Sequence, residues 1–215
     1  MRSYGHYCGL AKALDVVGDR WSLLIVRELL MRETLRYTDL RDGLPGIATN
    51  LLADRLRELE RAGVLEREAA PPPTAATLFR LTERGKQLRA AVHALGRWGA
   101  PLMAAPREGD AFRSHWLSLP VEILLEGRAA PGPPATIELR AGEQPVAVEV
   151  DEGTIRTRLG SADRPDLVLA GDPQLIFGVL SGMLELREAL ERGLECEGDV
   201  EVLGRVQPRG EPIAP

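Results

Sequence analysis

The sequence predicts an α+β fold in two parts, and three observations carry that expectation. Through residue 103 apolar residues recur at helical spacing, interrupted by a single pair of short extended runs. From residue 136 the period changes to two. The charge also changes sign: residues 1–103 hold 16 Lys and Arg against 12 Asp and Glu, net +4, whereas residues 104–215 hold 11 against 20, net −9. A basic half joined to an acidic half suits a chain of which one part meets a polyanion.

Composition bounds the reading before any element is placed. The chain has 215 residues, 44% apolar and 27% charged, as globular proteins do. No apolar run approaches the roughly 18 residues that cross a bilayer, and the N-terminus lacks a secretory signal, so a cytoplasmic location and no membrane partner are expected. Cys8 and Cys196 form no metal or disulfide pattern. Gly-x-Ser-x-Gly, His-Glu-x-x-His, a Gly-rich phosphate loop and Cys-x-x-Cys are all missing, and His6, His93 and His115 stand alone. The expectation is a protein that is not an enzyme and carries no metal or cofactor.

Taken in order, Leu10, Ala13, Leu14 and Val17 space as a short amphipathic helix ending at Gly18. In "DRWSLLIVRELLMRE" Asp19 can cap a helix of about four turns, with Trp21, Leu24, Ile25, Leu29 and Leu30 inward. In "RYTDLRDGLPG" Thr38 can cap a short helix that stops at Pro45-Gly46. The stretch "LPGIATNLLADRLRELERAGVLERE", Leu44–Glu68, then opens a helix near Thr49, where the Thr49 hydroxyl or the Asn50 amide can accept from free N–H groups. Leu52, Leu56 and Leu59 share one face; Asn50, Asp54, Arg57 and Arg61 lie roughly opposite, with Ala53 between. Gly63 supplies the left-handed position that ends the helix. "VLEREA" and "TLFRLT" are strands joined by "APPPTAA", whose prolines forbid pairing at the tip. From Glu83 to Met103 helical spacing returns, with Leu88, Val92, Leu95 and Leu102 on one side. Helix, helix, helix-turn-helix, two-stranded wing, helix is the order of a winged helix-turn-helix.

"LDVVGDRWSLLIVREL", "RYTDLRDGLPGI", "LLADRLRELERAGVLERE" and "FRLTERGKQL", following Cys8, occur in the order and near the separations of the HxlR-type winged-helix transcriptional regulators, which residues 8–103 resemble. The resemblance implies a domain over residues 1–104 that binds double-stranded DNA as a homodimer, joined through Leu10–Val17 and Glu83–Met103. Each subunit would place its recognition helix in a major groove. Residues near a helix N-terminus reach base edges there, and Asn suits adenine as Arg suits guanine. Thr49, Asn50, Ala53 and Arg57 are the expected groove contacts, and Arg36, Tyr37 and Thr38 the expected phosphate contacts. Arg55 lies near the inward stripe and is open to either DNA contact or an acidic neighbour. The wing departs from the family: Ala76 stands about where an arginine is usual, leaving Thr74 and Thr77 as wing contacts. Cys8 matches the cysteine that some members use to sense oxidants; the alternative is an ordinary small buried side chain.

"APREGD" is a hinge, and "AFRSHWLSLPVEILLEG" reads as one or two short helices broken near Pro120. "TIELRA", "PVAVEV" and "TIRTRL" alternate as an antiparallel meander, "RPDLVLAG" adds a strand, and "DPQLIFGVLSGMLELREALERG" covers the sheet with helices capped by Asp172. "LECEGDVEVLGRV" closes with a strand and a short helix. Residues 110–207, with Gly193–Asp199, resemble the sterol carrier protein type 2 (SCP2-like) domain. That implies an antiparallel sheet covered by helices and a tunnel for an apolar small molecule, lined by Trp116, Ile137, Val148, Phe177, Leu180, Met183 and Leu184; a filled core is the alternative. The expected function is a dimeric regulator, in the commoner case a repressor, whose second domain either senses such a ligand or buttresses the dimer. The rival is an apolar-ligand carrier that keeps the winged helix for dimerisation.

Overall fold

The structure is a computed structural model that describes residues 3–70, 76–104, 107–127, 130 and 132–206. It divides at Ala94/Leu95 into two compact units. The first contains helices α1 (Gly9–Val17), α2 (Ser22–Arg32), α3 (Tyr37–Asp42), α4 (Thr49–Arg61) and α5 (Glu83–Lys86), with strands β1 (Thr34–Arg36), β2 (Leu65–Ala69) and β3 (Thr77–Leu81). Helix α6 (Arg89–Gly99) runs across the division.

β3 lies between β1 and β2, antiparallel to both, with Leu35 opposite Phe79 and Leu65 opposite Leu81. β1 was not expected. Three residues are too few to show a period, and nothing in "TLR" marks a strand until β3 offers it an edge. Ile25 and Leu29 on α2, Leu40 on α3, and Leu52, Leu56 and Leu59 on α4 are all buried. Each such side chain stabilises the fold by about 1.5–3 kcal/mol.

The helix ends correct several expectations. α2 has 11 residues, three turns rather than four, and begins after Trp21 with no side-chain cap; the Asp19 carboxylate pairs with Arg55 instead. Arg36, not Thr38, precedes α3, and the Asp39 carboxylate accepts its backbone N–H at 2.9 Å. Ala48 precedes α4, so neither Thr49 nor Asn50 caps it. Gly63 does take the left-handed conformation after α4, at φ 68°. The single helix expected over Glu83–Met103 is three pieces: α5, α6 and a 3-10 segment, Ala100–Ala104. Gly85 lies inside α5 and must be glycine, since a Cβ there would meet the Val64 carbonyl oxygen at 2.0 Å.

The second unit holds a five-stranded sheet of β4 (Ala135–Arg140), β5 (Val146–Asp151), β6 (Thr154–Leu159), β7 (Leu167–Ala170) and β8 (Glu195–Gly198), ordered β6-β5-β4-β7-β8. β4, β5 and β6 form the expected meander, but β7 runs parallel to β4, so the sheet is mixed and not wholly antiparallel. Residues 160–166 make the crossover, anchored where the buried Glu138 accepts from the Ala162 N–H at 2.6 Å. Helices α7 (Ser118–Leu125), α8 (Pro173–Ser181) and α9 (Leu186–Glu191) complete the unit. Ile137, Leu139, Val148, Leu169, Ile176 and Val179 are fully buried together in its core. The helical break precedes Pro120: a 3-10 turn, Ser114–Leu117, hands over to α7, and the proline sits in the first turn, where a missing N–H costs little. Asp172 caps α8 as expected, accepting from Gln174 N–H at 2.7 Å.

Candidate nucleic-acid interface

α4 owes its orientation to the contrast between its faces. Leu52, Leu56 and Leu59 are buried, whereas Thr49, Asn50, Asp54, Arg57 and Arg61 are exposed and Ala53 is half-buried. Its C-terminal end is tied to the base of the wing: the Thr82 hydroxyl donates to Gly63 O at 2.6 Å, and Arg84 donates to Ala62 O at 3.2 Å. At its N-terminal end the Tyr37 hydroxyl donates to Thr49 O at 2.6 Å. That bond joins the start of α3 to the start of α4, so Tyr37 is half-buried, while Arg36 and Thr38 beside it are exposed. The structure thus groups Arg36, Thr38, Thr49 and Asn50 around adjoining helix N-termini, where partial positive charge favours anions.

Beneath α3 lies a cluster that sequence reasoning missed. The Glu28 carboxylate is fully buried; Arg27 donates to one oxygen at 2.8 Å and Arg32 to the other at 3.0 Å. Arg32 also donates to Asp39 O at 3.0 Å, which fastens α3 to α2. Gly43 is required at the end of α3, because a Cβ there would lie 2.2 Å from the Glu28 carboxylate. Burial pulls the Arg27 guanidinium below its ordinary pKa. No pattern reveals Glu28, since one acidic residue in a helix reads as solvated surface.

Charge on the exposed faces is largely paired. Arg55 is settled as an ion-pair residue, with Asp19 at 2.9 Å and with Glu58. Arg57 pairs with Asp54, and its Nε donates to Ala53 O at 3.3 Å. In the wing, Arg67 pairs with Glu60 at 2.6 Å, and Arg80 bridges Glu66 and Glu68 at 3.0 and 3.1 Å. Thr77 is exposed and Ala76 half-buried; Thr74 lies outside the described residues.

Cys8 is exposed at the start of α1, so the reading of an ordinary buried side chain fails. Its sulfur falls short of a full capping bond, yet the Ala11 and Leu10 N–H groups favour the thiolate and hold its pKa below the usual thiol value. Among the residues named for a tunnel, Ile137, Val148 and Leu180 are sealed in the core, and Phe177 and Leu184 pack against it. Trp116 is half-buried, and Met183 is 58% exposed.

Comparison with known proteins fits this geometry. The model of the HxlR-like helix-turn-helix family matches residues 16–106. The chain is 33% identical over 96 residues to the HTH-type transcriptional regulator sll1512 of Synechocystis, covering 45% of this chain and 70% of that protein. It is 33% identical over 87 residues to YvaP of Bacillus subtilis, 40% of this chain and 80% of that one. With YodB, an HTH-type transcriptional regulator of Bacillus subtilis, it shares 32% over 89 residues, 41% and 79% of the two chains. No described helix is long and apolar enough to cross a membrane. The buried platform under α3, the outward polar face of α4 and the paired wing strands are accordingly those of a DNA-binding transcriptional regulator, and the chain belongs to the HxlR-like helix-turn-helix family.

Proposed function

We propose that the chain acts as a homodimeric repressor whose two α4 helices enter successive major grooves of an operator. The observation that carries this reading is the outward face of α4, with Thr49, Asn50 and Arg57 exposed beside Arg36 and Thr38. Asn50 and Arg57 supply hydrogen-bonding edges that suit adenine and guanine, and Ala53 lets the helix approach closely. Tyr37, occupied with Thr49 O, positions the two helix starts, and Arg36 and Thr38 take phosphate. The wing, its cations neutralised and Thr77 exposed, adds little.

Dimerisation through α1 and α6 is supported by apolar side chains left on both. Leu10 is 69% exposed and Trp98 77% exposed. A dimer covering a promoter blocks it by occupancy, which is the basis for repression. Cys8, an exposed thiol with a lowered pKa, is a second input by oxidation. The second unit is proposed to be SCP2-like and to sense an apolar molecule at the half-buried Trp116, Phe177 and Leu184; a co-purified ligand seen by native mass spectrometry would support that role.

Hydroxyl-radical footprinting on a duplex selected from random sequence tests the whole reading. Two protected segments whose centres lie about 34–36 Å apart are expected. One segment, or none, would overturn it.

A further inference from the structure

We propose that Asp54 is a specificity determinant, acting with Arg57 as one reading unit that selects, on the strand carrying the guanine taken by Arg57, a neighbouring base with an exocyclic amine in the major groove, cytosine or adenine over guanine or thymine. The inference rests on the DNA-binding role proposed for α4 and names part of what that helix reads.

Arg57 does not project freely. One of its Nη2 hydrogens goes to an Asp54 carboxylate oxygen, and its Nε donates to Ala53 O at 3.3 Å. Both contacts lie toward the N-terminal end of α4, the end from which helices meet base edges. They occupy one edge of the guanidinium and leave Nη1 and the second Nη2 hydrogen as a parallel pair facing outward. That pair matches guanine O6 and N7. The side chain is thereby set before DNA arrives, so less rotamer freedom is lost on binding.

The second Asp54 oxygen accepts no hydrogen bond among the described residues, on a side chain that is 52% exposed. A carboxylate only accepts. In the major groove it attracts the amines of cytosine N4 and adenine N6 and repels guanine O6, guanine N7 and thymine O4. An exposed i,i+3 pair adds little to helix stability. Near phosphate, the same charge weakens sequence-independent binding. Small stability and weaker general affinity leave discrimination as the physical effect of this residue. The contrast with Arg55 is direct: that guanidinium turns back to Asp19 and Glu58 on its own unit and is 20% exposed, against 56% for Arg57.

Binding selection from randomised duplexes, with full-length wild type, Asp54→Ala, Asp54→Asn and Arg57→Ala, decides the matter. Wild type is expected to enrich guanine next to an amine-bearing base, and the enriched base tells cytosine from adenine. Asp54→Ala should keep the guanine, lose the neighbouring preference by about five-fold or more, and bind random duplex more tightly at low salt. Asp54→Asn, which donates as well as accepts, should admit acceptor-edged bases at that position. If Asp54→Ala keeps the neighbouring preference within two-fold while Arg57→Ala loses the guanine, this inference is overturned and the recognition role of α4 survives. If wild type selects no sequence, both fall. Matching thermal midpoints for wild type and the Asp54 variants exclude a folding artefact.

Discussion

Helices α4 and α6 are both amphipathic, and the chain disposes of their faces in opposite ways. α4 spends its apolar stripe inside its own unit, burying Leu52, Leu56 and Leu59, and presents its polar face outward. α6 and the segment after it bury Val92 but leave Leu95, Trp98, Leu102 and Met103 exposed. A helix whose polar face is left over is equipped for a charged, hydrated partner. A helix whose apolar face is left over is equipped for another protein surface. The difference lies in which side the platform beneath has already satisfied, and not in the strength of either pattern.

Breaking the platform under α3 should have the largest effect. Glu28→Ala removes the buried carboxylate that both Arg27 and Arg32 bond, and is expected to cost about 3–5 kcal/mol by urea unfolding. A loss below 1 kcal/mol would mean that water replaces the carboxylate without penalty. Truncating the stripes compares the two helices directly. Leu56→Ala should cost about 2–5 kcal/mol. Leu95→Ala, on α6 at a position 52% exposed, should leave monomer stability within about 0.5 kcal/mol. Equal losses would erase the distinction between the helices.

A double variant sharpens the role given to the leftover apolar face. Leu10→Glu combined with Trp98→Glu should turn a dimer into a monomer in sedimentation at micromolar concentration without changing the fold by circular dichroism. A variant that sediments as wild type would separate α1 and α6 from assembly. The smallest effect concerns Cys8. Its lowered pKa gives more thiolate at neutral pH than an ordinary thiol has, while burial raises the pKa of Cys196. Alkylation at pH 7 should therefore label Cys8 several-fold faster than Cys196, with the ratio shrinking as pH rises past both pKa values. Equal rates at pH 7 would remove the local activation of Cys8.

How far the sequence was legible follows the same logic of satisfied and unsatisfied groups. Periodicity located α4 and its three buried leucines, the meander β4–β6, and the Asp172 cap, because each signal sits in consecutive residues. It could not find β1, nor show that the strand located at β7 runs parallel to β4, since both pairings depend on partners about 45 and 30 residues away in the chain. Side-chain caps were over-read: Asp19, Thr38 and Thr49 are cap-forming residues, but Asp19 answers Arg55 and the other two lie inside their helices. In the candidate site the exposed residues Asn50 and Arg57 were readable from spacing. The Tyr37–Thr49 bond, the Glu28 cluster and the restraint of Arg57 by Asp54 were not, since each needs two segments or two rotamers in known positions.

The central claim, that the outward face of α4 meets DNA, is tested most directly by a salt series on the selected duplex. With wild type and Arg57→Ala measured side by side, a steep fall of log Kd-based affinity with log salt is expected for wild type. The variant should bind at least about five-fold more weakly to the selected duplex, with little change on random duplex. Flat, sequence-blind binding that is the same for both proteins would contradict the account.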